Sequence, residues 1–220
     1  ARHPVLEHPA RRVAVAGIYE FIGAGLDEAL LGLRGDTVVI PEVAYPTYEV
    51  GALMADCKVV RCDNPSEAPR DAALVFVNSP SNPTGGVLSV EQLREWVAFA
   101  RETGAIIASD ECYLYLGWSA EPVSILHPSV TDGGNTGLLA LHSLSKTSNL
   151  ASYRAGTISG DEALVQELLE VRKHAGLIVP GPIQAAMVAA LGDDLHEQMQ
   201  RSVYAQRRLT LLQALPEAGF

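Results

Sequence analysis

The sequence predicts an α/β fold, three layers deep (α/β/α), around a mostly parallel mixed sheet. Two observations predict it. Short apolar runs, rich in β-branched residues, recur along the chain without polar alternation, as expected of strands buried on both faces. Between them lie stretches with apolar residues at helical spacing, and such strand–helix alternation favours parallel pairing through crossover helices.

The candidate strands are Thr37–Ile40, Lys58–Arg61, Leu74–Val77, Ala105–Ser109, Leu138–His142 and Gly156–Ser159. Leu26, Ala29, Leu30 and Leu33 share one helical face. Ser89 with Gln92 has the pattern of a capping box and opens a helix through Leu93, Val97 and Ala100. Leu164, Leu168 and Val171 mark a helix after Asp161, and residues 180–215 read as nearly all helix. Residues 1–12 form a polar, proline-bearing arm, and residues 13–220 read as one large domain without internal repeat or low-complexity linker.

A chain of 220 residues is long enough to bury a substantial core. Its net charge of -10 disfavours nucleic acid and anionic membranes as partners, since both would repel it. No apolar run is long enough to span a bilayer, and the first twelve residues lack the apolar stretch of a secretory signal. Cys57, Cys62 and Cys112 are odd in number and lack metal-ligand spacing, which reads as reduced thiols in a cytoplasmic protein without a metal site. Lysine is scarce: Lys58, Lys146 and Lys173 are the only three, so any lysine chemistry has three candidates.

In parallel sheets, ligands bind beyond the carboxyl ends of the strands. Three polar segments follow strands directly: Asn78 to Gly85, Asp110 to Tyr113, and Ser143 to Lys146. Together with Arg154 they offer an amide, a carboxylate, a phenol, hydroxyls and an amine. That set matches what pyridoxal 5'-phosphate (PLP) requires: an amine for its aldehyde, a carboxylate to keep its ring nitrogen protonated, and donors for its phenolic oxygen and phosphate. Each residue also has a plainer reading. Asp110 could cap a helix, Asn82-Pro-Thr-Gly could be a turn, Tyr45 could pack in the core, and Arg154 could pair at the surface. Lys58 borders a strand and Lys173 suits a helix C-terminus, where Arg172 and Lys173 together read as a surface helix end; Lys146 has no such structural explanation.

Ser81-Asn-Pro-Thr-Gly85, Ser109-Asp-Glu-Cys-Tyr113, Ser143-Leu-Ser-Lys146 with Arg154, and Ala44-Tyr-Pro-Thr-Tyr48 resemble the class I/II aminotransferases of PLP fold type I, in order, across residues 17–220. The resemblance implies that Lys146 holds the cofactor and shuttles the substrate α-proton. It implies that Asp110 pairs with the ring nitrogen, Tyr113 and Asn82 bond the ring oxygen, Tyr45 stacks on the ring, and Ser143 and Arg154 bind the phosphate. Relatives carry a glycine followed by a small hydroxyl residue where the phosphate meets the first large-domain helix. Here the segment is Gly23-Ala24-Gly25, without the hydroxyl, leaving backbone N–H groups as the expected donors.

The same glycines fit a rival dinucleotide pattern, G-x-G-x-x-A, with Glu42 nineteen residues after Gly23. The preceding Tyr19–Ile22 is a poor buried strand, interrupted by Glu20. A degenerate PLP-binding domain is disfavoured by the Lys146, Asp110 and Tyr113 set, because ligand binding alone does not need amine and carboxylate together.

Residues 110–118, 121–130 and 171–180 look like those of actinobacterial succinyldiaminopimelate transaminases. That likeness implies amino transfer between glutamate and N-succinyl-2-amino-6-oxopimelate in lysine biosynthesis, with an aspartate- or aromatic-type aminotransferase as the alternative. It also implies a homodimer when full length. The small domain, which supplies the arginine for the substrate carboxylate, is expected to lie outside this sequence.

Overall fold

A computed structural model describes residues 14–16, 36–174 and 176–219. The arm at 1–12, the Gly23-Ala24-Gly25 segment, the helical face at 26–33 and the glycines of the dinucleotide pattern lie outside the described residues.

Seven strands form one sheet: β1 (Ala14–Ala16), β2 (Thr37–Ile40), β3 (Lys58–Arg61), β4 (Ala72–Asn78), β5 (Ile106–Asp110), β6 (Leu138–Ser143) and β7 (Gly156–Gly160), in the order β1-β7-β6-β5-β4-β2-β3. β7 is antiparallel to both β1 and β6, and the remaining pairings are parallel. The predicted mostly parallel mixed sheet is therefore the one observed. β1 was not predicted: it is three residues long, and two of them are alanine, a weak strand former.

The helices among the described residues are α1 (Pro46–Met54), α2 (Val90–Thr103), α3 (Pro128–Thr131), α4 (Leu144–Thr147), α5 (Glu162–His174), α6 (Gly181–Leu191) and α7 (Asp194–Glu217). α2 opens on the capping box read from the sequence, with Ser89 accepting from the Gln92 N–H and the Gln92 side chain reaching back to the Ser89 N–H. It stops at Gly104, whose φ of 81° is left-handed and easy for glycine alone. α1 went unread, because Gly51 and exposed Val50, Leu53 and Met54 blur its apolar stripe. It begins at Pro46, whose fixed φ suits a first helical position.

Side-chain alternation along the strands builds two core layers. Val38, Ile40, Leu74, Phe76, Ala108, Leu139, Leu141 and Ile158 pack with Tyr48 and Ala52 of α1 and Val165 of α5. Val39, Val75, Val77, Ile107, Leu138 and Ala140 pack with Leu93, Trp96, Val97 and Ala100 of α2. Covering both faces explains the unbroken apolar runs, and each large side chain so buried stabilises the fold by roughly 1.5–3 kcal/mol. At the end of β7, Gly160 has a φ of 142°, and a Cβ there would collide with the Leu138 carbonyl. Arg172 departs from the predicted surface helix end. It is 2% exposed and donates to the Leu177 carbonyl at 2.6 Å, because the chain after α5 folds back over the helix terminus.

Glu111, one residue past β5, is also buried. Its Oε1 accepts the Ile125 N–H at 2.7 Å, tying the 119–126 segment to the sheet, and its Oε2 lies 3.3 Å from His142 Nε2 on β6. Burial pushes the Glu111 carboxyl up to about 7 from its ordinary 4.5. The folded chain thus keeps a proton that the unfolded chain releases, and the stabilisation is full below pH 4.5 and lost as pH rises through about 7. Glu111→Gln keeps the size and the neutral donor. Urea midpoints at pH 5 and pH 8 are expected to show it losing about 1–3 kcal/mol less stability over that interval than the parent chain.

Candidate active site

Three neighbouring parallel strands each run one residue past the apolar run that predicts them, and each ends on a polar side chain: Asn78 on β4, Asp110 on β5 and Ser143 on β6. Asn78 pairs across with Asp110, and Asp110 with Leu141, so β4 and β5 end level while β6 runs two residues further, to Ser143. Pairing of parallel strands therefore gathers the three predicted polar segments at one sheet edge.

Asp110 is only 5% exposed, and both of its oxygens are held. The Tyr48 hydroxyl donates to Oδ2 at 2.6 Å, and the Cys112 backbone N–H donates to Oδ1 at 3.0 Å. Such bonds offset the cost of taking a carboxylate out of water. Tyr48 is itself fixed by α1 and by stacking on Phe76, with ring centroids 4.7 Å apart. Burial first, and the Asp110 charge second, push its phenol far above the usual range, so it remains a donor. The Cys112 thiol is likewise raised, by burial and then by Asp110, which leaves it a poor nucleophile.

Asn78 braces the neighbouring loop. Its Nδ2 donates to the Asp110 carbonyl at 3.0 Å and to the Pro80 carbonyl at 3.2 Å, while its Oδ1 accepts the Asn82 N–H at 2.7 Å. Asn82 is thereby held half-buried beside the end of β5. Tyr45 caps α1 and meets Tyr48 edge-on, with centroids 6.3 Å apart. Tyr113 is half-buried against the same core layer.

Ser143 ends β6 and caps α4, its Oγ accepting the Ser145 N–H at 3.1 Å. Lys146 stands in that single turn of helix, half-buried. Among the described residues no carboxylate lies within ion-pair distance of its amine. Its charge offsets part of the rise in the Cys112 thiol that burial and Asp110 cause. Arg154 has a left-handed backbone (φ 53°) and donates to the Ala151 carbonyl at 2.8 Å, turned back on its own loop. Lys58 and Lys173 are exposed, at the β2–β3 edge and in α5, away from these strand ends.

Residues 7–220 match the family described as aminotransferase class I and II. The chain belongs to this family. A probable aminotransferase of Mycobacterium tuberculosis is 63% identical over 87% of this chain and 46% of its own length. The 4-dedimethylamino-4-oxo-anhydrotetracycline transaminase OxyQ of Streptomyces rimosus is 55% identical over 87% of this chain and 54% of its own. The chain thus spans about half the length of these curated relatives. Among solved structures, a probable N-succinyldiaminopimelate aminotransferase from Thermus thermophilus superposes with a TM-score of 0.80 at 28% identity, over 96% of this chain and 59% of that one.

Class I/II aminotransferases use PLP, and the residues here fit it. A buried carboxylate is held on both oxygens, half-buried Lys146 has no carboxylate within ion-pair distance among the described residues, and the preceding Ser145 has a buried Oγ without a hydrogen-bond partner.

Sequence reading alone missed Tyr48 and Asn78 as members of the site. Both lie inside quoted motifs, and a signal existed for Tyr48. Pro46 at a first helical position puts Tyr48 three residues after Tyr45, on the same helical face. Replacing Tyr48 with Phe keeps the stack on Phe76 but removes the only side-chain donor on Asp110 Oδ2 among the described residues. Chemical denaturation at pH 7 is expected to show a loss of about 1–3 kcal/mol, and a loss below about 0.5 kcal/mol would show that the bond carries no net weight.

Proposed function

We propose that residues 13–220 form the cofactor-holding large domain of a PLP-dependent aminotransferase, with Lys146 as the lysine that carries the cofactor. The observation that supports this most is the pairing of a buried, doubly bonded carboxylate at the end of β5 with a lysine one turn beyond the adjacent end of β6.

When bound, PLP supplies an aldehyde and a protonated ring that withdraws electrons from the substrate α-carbon. The roles of the chain's own groups follow from their chemistry. Lys146 would hold the cofactor's aldehyde through its Nζ and, as a base, would take and return a proton at the substrate α-carbon. Asp110 holds the ring-nitrogen proton, and its bonds from Tyr48 and Cys112 keep it an acceptor. Asn82 and Tyr113 donate to the ring oxygen, and Tyr45 covers the ring face. Ser143, Arg154 and the backbone of Gly23, Ala24 and Gly25 hold the phosphate; this role asks Arg154 to release Ala151.

For the substrate pair, we favour glutamate/2-oxoglutarate with N-succinyl-2-amino-6-oxopimelate. Support comes from the 110–118, 121–130 and 171–180 segments and from the likeness to the Thermus structure. A second reading, a bulky cyclic ketone as acceptor, is favoured by the 55% identity to OxyQ. The full-length enzyme is taken as a cytoplasmic homodimer. Rates with a panel of acceptors separate the substrate readings: succinylated oxopimelate turned over fastest supports the first, and an anhydrotetracycline ketone supports the second.

Loading with PLP is expected to give a visible absorbance band, and borohydride followed by peptide mapping is expected to label Lys146. Lys146→Ala should abolish the band without unfolding the chain, and label on Lys58 or Lys173 would overturn the assignment. Asp110→Ala is expected to slow conversion of that band by an amino donor about 100-fold or more while cofactor occupancy changes far less, as befits a group needed mainly as charge develops.

A further inference from the structure

α7 buries none of its residues, yet it reaches both loops that carry the site. Along one face, at four-residue spacing, stand His196, Gln200 and Tyr204. His196 Nε2 lies 2.8 Å from Ser148 Oγ, and Gln200 Oε1 accepts the Asn149 amide at 2.8 Å. The Tyr204 hydroxyl meets the Lys146 carbonyl at 3.2 Å and Asn149 Oδ1 at 3.3 Å. On the adjacent face, Arg201 donates to the Gly117 carbonyl and lies 5.0 Å from the Trp118 ring centroid, with Arg208 at 5.9 Å from the same ring. Gly117 and Trp118 belong to the loop that begins with Asp110.

The contact with Lys146 answers a definite need. A helix of four residues has few N–H groups of its own to give its carbonyls. The Leu144 carbonyl is met by the N–H groups of Ser148 and Leu150, and the Lys146 carbonyl by Tyr204. The chain then turns sharply at Asn149, a left-handed residue with φ of 55°, whose side chain is held by Gln200 and Tyr204. A lysine amine sits on a long, flexible stem, so its reach is set by where its backbone is fixed, and misplacements near 1 Å cost reactions about 100-fold.

We propose that α7 is a strut that fixes the Lys146 backbone relative to the Asp110 loop, and that Tyr204 is the positioning residue for Lys146. The strut joins the two loops from outside the sheet, through polar contacts that bind only in one register of the helix. The inference rests on Lys146 being the cofactor-holding lysine, and it is tested in two ways that separate the two ideas.

In the cofactor-free 220-residue chain, Tyr204→Phe is expected to raise deuterium exchange of residues 147–150 about fivefold, as does the double variant His196→Ala/Gln200→Ala, while Gln198→Ala on the opposite face leaves it unchanged. In the PLP-loaded chain, Tyr204→Phe is expected to slow formation of the visible band about tenfold and to move its pH midpoint by about 0.3 or more, with the melting temperature close to the parent's. Parent-like exchange at 147–150 in both Tyr204→Phe and the double variant overturns the strut. Faster exchange with an unchanged band rate and midpoint overturns the positioning role. Labelling of a lysine other than Lys146 in the parent chain refutes the cofactor assignment, and the exchange data then still decide whether α7 holds this loop.

Discussion

The structure turns on the bond between the Tyr48 hydroxyl and the Asp110 carboxylate. A charge as buried as Asp110 is costly unless its oxygens are met by donors. Tyr48 and the Cys112 N–H meet them, and each donor is fixed by something larger. Tyr48 is carried by α1 and stacked on Phe76 of β4; Cys112 is fixed by the turn that leaves β5. The carboxylate therefore couples a helix, a strand and a loop.

Parallel pairing does the rest of the gathering. Each strand of a parallel sheet points the same way, so the polar residues at the last positions of β4, β5 and β6 gather at one edge without any loop having to reach far. The same geometry explains why neighbours in sequence have unlike tasks. Asp110 turns to the layer that holds Tyr48, whereas Glu111 turns to the other side, where it ties down the Ile125 segment and faces His142. One residue of chain separates a group oriented for chemistry from a group oriented for cohesion.

Much of this was legible in the sequence, for physical reasons that can be named. The central strands were readable because burial on both faces demands unbroken apolar runs, whereas edge strand β3 carries only Val59 and Val60 between two exposed cations. The start of α2 was readable because a capping box has few other uses. The segment motifs were readable because PLP needs an uncommon set of groups in one place. What escaped reading depends on tertiary partners. β1 exists through its pairing with β7, and α1 shows too weak a stripe because part of its apolar surface stays exposed. Arg172 looked like a surface cation, and only the fold-back of the following turn gives it the Leu177 carbonyl. Tyr48 was visible as a family residue, but its partner is sixty-two positions away and no local pattern announces it.

The two groups of the proposed site are held by different means, and this asymmetry has a reason. Asp110 has a short side chain and must be placed within a fraction of an ångström, so it sits on the sheet itself, where the ladder and the core leave little freedom. In the proposed role Lys146 has to reach the same ring and also leave it, so a rigid strand would serve it poorly. A single helical turn capped by Ser143 gives it an anchored backbone with a mobile stem. Such a turn is too short to be stable alone, since nucleation costs more than one turn returns. Its stability comes from outside: Leu144 packs with Val179, Met187 and Leu191, and the polar face of α7 adds contacts through His196, Gln200 and Tyr204. A sheet for the carboxylate and a braced turn for the amine together permit one group to stay still while the other moves.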